Sequence, residues 1–140
     1  YVEAGVLPLL TANGFDVGLP SFFIWEGNTM YLTRDTVVGV LKDLQANLPK
    51  FAIAFDYMDK AVVERTTGDP KTTAFVERFA AMGAPWICGI DDVAALASEA
   101  GLAVADRRTV AELHRAFRPE RPSRAIIYER YAVCTLTSAR

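Results

Sequence analysis

The sequence predicts an α/β domain on a mainly parallel sheet, and three observations carry that expectation. Two short apolar runs, SFFIW at 21–25 and FAIAF at 51–55, each stop abruptly at an acid, Glu26 and Asp56. Continuous apolar runs of this length, bounded by turn residues, suit strands buried on both faces. Around them, apolar residues recur at helical spacing, giving the order strand–helix–strand–helix–helix–strand–helix–strand. Alternation of this kind marks a sheet whose strands run parallel beneath packed helices. Four strands make a thin sheet, half of a doubly wound fold.

Each element has its own local reason. Residues 4–13 read as a short helix stopped by Gly14, and 15–20 as a loop leading into SFFIW. Thr33 is an N-cap, Asp35 complements the helix dipole, and Val37, Val38, Leu41 and Leu44 follow at helical spacing until Pro49. FAIAF is expected to end at Asp56 and Tyr57. Residues 64–71, with Gly68, Asp69 and Pro70, read as a loop. Phe75, Val76, Phe79 and Ala80 mark a helix closed near Gly83. Asp91 is expected to cap the next helix, which carries Val93, Leu96 and Ala97 and stops at Gly101. LAVA at 102–105 is a short strand. Thr109 and Glu112 match a capping box, so a helix starts there. Residues 118–123 form a proline-containing loop. The β-rich stretch 125–136, AIIYERYAVCTL, reads as one long final strand.

Composition bounds the class. The 140 residues are 51% hydrophobic and 23% charged with a net charge of -2, enough apolar content for one globular core and too much for disorder. No run of roughly 18 apolar residues occurs, so no membrane span is expected. Cys88 and Cys134 stand far apart with no CxxC, which supports reduced thiols and a cytoplasmic setting rather than a disulfide framework or a zinc site. Residues 1–106 hold 14 acidic and 7 basic residues, whereas 107–140 hold 3 acidic and 8 arginines. The arginines are scattered and no nucleic-acid motif accompanies them, so a solvated, ion-paired surface is expected and no nucleic-acid partner. GxGxxG, GxxxxGK[ST] and GxSxG are all absent. His114 is the sole histidine, with no cluster of ligand types near it in sequence, so no metal is expected.

The candidate chemistry sits where strands end. In doubly wound folds ligands bind outside the carboxyl ends of the strands, where Glu26 and Asp56 stand. A carboxylate there can hold an ammonium, a sulfonium or a ribose hydroxyl.

Several stretches resemble the leucine carboxyl methyltransferase family, which includes bacterial S-adenosylmethionine-dependent O-methyltransferases. Glu26-Gly27 followed by Tyr31-Leu32 resembles the family's EG-x-x-x-YL segment. Asn13-Gly14-Phe15-Asp16 is similar to the AGFDP before it, with Val17 in place of proline. Phe55-Asp56-Tyr57 resembles an FDY motif, and Gly83-Ala84-Pro85-Trp86 with Gly89 resembles GEPW-x-x-G. Ser123-Arg124-Ala125-Ile126 through Tyr131-Ala132-Val133 fits the ending. The resemblance runs in order along essentially the whole chain.

The resemblance implies that residues 1–140 are the C-terminal half of a Rossmann-like class I methyltransferase domain, its sheet mainly parallel with an antiparallel final strand. The chain opens on Tyr1, and the glycine-rich cofactor loop is expected upstream of it. The cofactor implied is S-adenosyl-L-methionine, with Glu26 and Tyr31 on the cofactor side. Asp56, Tyr57 and Trp86 are implied on the substrate side, with no catalytic residue assigned. The reaction implied is methyl transfer to an oxygen of a small-molecule or carboxylate acceptor. A carboxylate needs no base, whereas a hydroxyl would have Asp56 as its nearest base. This chain alone is expected to bind the cofactor weakly and to be inactive. The alternative is a non-catalytic, self-associating α/β binding module. In either case SFFIW, uncharged and with one side unpaired, is expected to form a homodimer through the sheet edge.

Overall fold

The computed structural model describes residues 5–121 and 125–138. Residue 4 of the first expected helix, and 122–123 of the expected proline loop, lie outside these. The elements run α1 (Val6–Ala12), β1 (Ser21–Trp25), a single 3-10 turn (Thr29–Tyr31), α2 (Arg34–Asn47) and β2 (Phe51–Met58). After them come α3 (Lys60–Val63), α4 (Pro70–Ala81), α5 (Val93–Glu99), β3 (Leu102–Thr109), α6 (Val110–Phe117), α7 (Ile126–Arg130) and β4 (Tyr131–Ser138). No helix among the described residues is long and apolar enough to cross a membrane.

The sheet order is β1-β2-β4-β3. β1 runs parallel to β2, and β4 runs antiparallel to both β2 and β3. Three strands therefore point one way, and the last strand in chain order lies between two of them. The α/β sheet with an antiparallel final strand is as expected; the ladders themselves are mixed, one parallel and two antiparallel, because that strand lies inside the sheet.

One face of the sheet carries the main core. Val37, Val38, Leu41 and Leu44 of α2 pack with Phe51, Ile53 and Phe55 of β2, Leu96 of α5 and Leu136 of β4. Burying side chains of this size contributes roughly 1.5–3 kcal/mol each. Side-chain caps set the helix starts. The Thr33 hydroxyl accepts from the Thr36 N–H, Asp69 accepts from Thr72, and Thr109 and Glu112 complete a reciprocal capping box.

The structure corrects several boundaries. SFFIW is not buried on both faces: Phe23 and Trp25 are partly buried against the core, and Phe22 and Ile24 are 62% and 75% exposed. The strand lies at the edge of the sheet. β2 continues past Asp56 to Met58 because β4 pairs with it through Met58 opposite Tyr131. β3 extends through Thr109 for the same reason, with a register shift between Val104 and Asp106. Asp92, not Asp91, caps α5, accepting from the Ala95 N–H at 2.8 Å. Asp91 instead accepts from the Lys60 N–H at 2.9 Å. The expected final strand 125–136 divides into α7 and β4. β-propensity at 126–130 is overridden by context, and the helix is tied to its neighbours by Arg115–Glu129 at 3.1 Å and Arg130–Asp59 at 2.7 Å.

The segment between α4 and α5 passes very close to α3. A Cβ built on Gly89 would stand 2.4 Å from the Lys60 Cα and 2.9 Å from the Asp59 carbonyl oxygen. Those are main-chain atoms, and they cannot swing aside. Gly89→Ala is therefore expected to destabilise the domain by roughly 1–3 kcal/mol, as over-packing does. Urea unfolding would read it as a lower midpoint at unchanged slope.

Candidate functional site

Parallel pairing places the carboxyl ends of β1 and β2 together, Trp25 opposite Phe55, so the residues that follow emerge side by side. Asp56 is only 5% exposed and is fully engaged. Its Oδ1 accepts from the Gly27 N–H at 2.7 Å, and its Oδ2 accepts from the Tyr131 hydroxyl. Its carbonyl oxygen accepts from the Thr29 hydroxyl at 2.6 Å. Gly27 sits at φ 65°, a left-handed conformation that glycine takes without strain, and that turn aims its N–H at the carboxylate. A buried carboxylate needs such partners. Burial, then the hydrogen bond to Asp56, then the charges of Asp56 and Glu26 push the Tyr131 phenol well above its ordinary range. It is a neutral donor at physiological pH.

Glu26 is exposed one residue beyond β1. Its carboxylate has no hydrogen-bond or ion-pair partner among the described residues. Tyr31, half-buried, ends the 3-10 turn that Thr29 anchors to Asp56. Trp86 is buried in a second apolar cluster with Met30, Met58, Val62 and Val76. Its segment is pinned: the Ile87 and Cys88 N–H groups both donate to the Met30 carbonyl, at 2.8 and 3.2 Å, and the Ile90 N–H donates to Met58 at 2.9 Å.

Glu26, Tyr31, Asp56 and Trp86 thus gather at one end of the sheet. Tyr57 does not join them. Successive strand residues point to opposite faces, so Tyr57 packs in the main core, and its hydroxyl accepts from Arg107 Nε at 3.1 Å. Sequence reasoning missed Tyr131, read as the middle of a strand, Phe75 and Phe79, whose rings meet Trp86, and Tyr128, which lines the same cleft and packs on His114.

Two clefts meet at the Asp56–Tyr131 pair. One, of about 240 Å³, is lined by Ile24, Trp25, Glu26, Asp56, Val110 and Val133 among others. The other, of about 440 Å³, is lined chiefly by aromatic rings, Tyr31, Phe75, Phe79, Trp86 and Tyr128 among them. Tyr131 borders both. No group of three or more residues able to hold a metal occurs among the described residues.

The comparison that bears on this end of the sheet is with family models. Residues 6–45 match the leucine carboxyl methyltransferase family model. That stretch holds α1, β1, Glu26, Gly27, Tyr31 and most of α2, while Asp56, Trp86 and Tyr131 lie beyond it. Among solved structures, a DUF574 family protein from Streptomyces avermitilis aligns with a TM-score of 0.59 at 16% identity, covering 91% of this chain and 47% of its own. The pyocyanin biosynthetic protein PhzM aligns with a TM-score of 0.53 at 12% identity, over 95% of this chain and 38% of its own. The mycolic acid cyclopropane synthase CmaA1, solved with SAH and CTAB, aligns with a TM-score of 0.51 at 13% identity, over 89% and 56%. These likenesses establish the fold alone, and the chain spans about half the length of the proteins it matches. No curated protein gives a significant match.

The Asp56 tie makes a measurable demand on stability. Tyr131→Phe removes one donor from a buried carboxylate, and the expected loss is about 1–3 kcal/mol, read by urea unfolding. Retained stability would mean that water replaces the phenol at no cost.

Proposed function

We propose that this chain carries the acceptor-side half of an S-adenosylmethionine-dependent O-methyltransferase. The observation that supports it best is the placement of an unpartnered carboxylate, Glu26, beside a small apolar cleft at the carboxyl ends of two parallel strands. The family-model match over the same segment agrees with this reading.

The residues fit the amino-acid end of that cofactor. Glu26 can hold its ammonium through a charge-assisted bond, and Tyr31 follows on the same loop. The cofactor, when bound, supplies a methyl group on a sulfonium. This chain's share of the work is to bind the donor's amino-acid end, to fix the acceptor oxygen near Tyr131, and to exclude water. Proximity and orientation carry most of the rate in such a displacement. The ribose and adenine contacts have no counterpart in the motifs of these 140 residues, so the chain alone binds the cofactor weakly.

Glu26→Ala removes a charge-assisted contact worth about 1.5–3 kcal/mol. The expected result is a cofactor affinity lower by roughly tenfold to a hundredfold, with the far-UV spectrum unchanged. Calorimetry on this chain and on the full-length product of its gene would measure it. Unchanged binding would reduce Glu26 to a turn residue.

The edge of β1 supports a second element of the proposal, a homodimer. Its backbone pairs on one side with β2, and Phe22 and Ile24 are exposed beside the other. A two-fold axis at Phe23 would set Phe22 of one copy opposite Ile24 of the other, and such self-complementary pairing suits a two-fold dimer. Sedimentation at micromolar concentration is expected to give twice the 15.4 kDa chain mass, and Ile24→Lys is expected to give single chains. A wild-type chain that sediments singly would reject this.

A further inference from the structure

The larger cleft has a composition that the methyl-transfer reading does not itself require. Phe79 stacks on Trp86 with ring centroids 5.0 Å apart and planes 27° apart. Phe75 meets both rings edge-on, at 5.2 and 5.9 Å. Three tyrosines, Tyr31, Tyr128 and Tyr131, also line the cleft. Its volume of about 440 Å³ falls within the range of small-molecule sites, roughly 300–1,000 Å³. Its walls are held: two N–H groups of the Trp86 segment share the Met30 carbonyl, and Arg130 ties α7 to Asp59.

Charge is distributed on one side only. No lysine or arginine lines the cleft among the described residues. Asp56 and Glu26 line the neighbouring smaller cleft, and Asp56 accepts from the Tyr131 hydroxyl that the two clefts share. An anionic acceptor bound against Tyr131 would meet the field of those carboxylates with no lining cation among the described residues to offset it, and such like-charge placement opposes binding. The Trp86 Nε1–H is buried with no acceptor among the described residues, so its signal is free to report a change in the cleft.

We propose that this cleft takes a flat, uncharged aromatic ring system bearing a hydroxyl, with the hydroxyl directed at the Tyr131–Asp56 pair. Edge-to-face and offset contacts with the Phe75, Phe79 and Trp86 rings select flatness. The lack of a lining cation among the described residues disfavours carboxylates. The direction of the hydroxyl rests on the methyl-transfer reading; the choice of ring and charge does not. In that reading the acceptor hydroxyl donates to Tyr131 Oη. When its oxygen was methylated, its proton would pass to Tyr131 while the proton of Tyr131 moved to Asp56 Oδ2, so that the proton would end on the Asp56 carboxyl group; the cofactor, when bound, would supply the methyl group and keep the bonding pair of its sulfonium.

Four probes of similar size test ring and charge on this chain with no methyl donor present. 2-Naphthol is expected to bind in calorimetry and to shift the Trp86 indole N–H resonance. 2-Naphthoate and the saturated decahydro-2-naphthol are each expected to bind at least roughly tenfold more weakly. Tyr128→Ala, on the half-exposed wall, is expected to weaken 2-naphthol with the fold intact. Phe79→Ala is a second variant for the opposite wall. Equal or tighter binding of 2-naphthoate would overturn the charge argument, and equal binding of the saturated alcohol would overturn the ring argument. Tighter binding of N-methylquinolinium would make the cleft a cation site instead. Because no cofactor is present, these results stand apart from the Glu26 titration. A chain that binds 2-naphthol but not the cofactor would fail the enzyme reading and leave the cleft assignment in place.

Discussion

The organisation of this domain depends on one buried carboxylate. Asp56 ends the run of apolar β2 residues, and no water reaches it freely, so its charge must be answered by protein donors. The carboxylate's donors come from two places in the chain, a glycine turn after β1 and a tyrosine that opens β4, while a threonine in the 3-10 turn donates to the Asp56 carbonyl. Satisfying the residue at position 56 therefore assembles the end of the sheet. Each partner fixes a segment that lines one of the two clefts. The pair of clefts and their shared wall follow from meeting the hydrogen-bond demand of one residue.

Much of this fold can be read from residue order, because its signals are local. The capping box at Thr109 and Glu112, the cap at Thr33 and the spacing of Val37, Val38, Leu41 and Leu44 act within one turn or one helix. Errors arose where distant partners decide. Residues 126–128 are strand formers, yet the stretch is a helix, and it is Asp59, far away in sequence, that pairs with its last residue, Arg130. Tyr131 was hidden for the same reason, since its role depends on a register with Met58 that only the folded sheet defines. Tyr57 is different: strand parity alone says that it cannot share a face with Asp56, and a family motif read as a block obscured that. Asp91 and Asp92 could not be separated because both are good caps, and the Lys60 N–H claims the first.

The chemistry of the two clefts is divided as the sequence divides charge. The first 106 residues are strongly acidic, and Glu26 and Asp56 belong to that part. Of the arginines gathered after position 106, Arg107 reaches the Tyr57 hydroxyl in the main core and Arg130 reaches Asp59. Among the described residues they brace the frame and leave the clefts without a cation. A negative, aromatic-walled end of a sheet tolerates a positive group at its rim and a neutral one within.

The central position of β4 also sets an order of events during synthesis. β1 and β2 can pair as soon as both have left the ribosome. β3 must wait for β4, made some twenty residues later, and β2 waits for that same strand across the whole of α3, α4, α5 and β3. Until that strand arrives, β2 and β3 are separate banks facing an empty channel, and β4 must enter between them and pair on both sides at once. Insertion of a middle strand last is a non-local step, slow by nature, and it leaves two adhesive edges exposed for its duration. A nascent chain paused before residue 131 would be the form most in need of a chaperone.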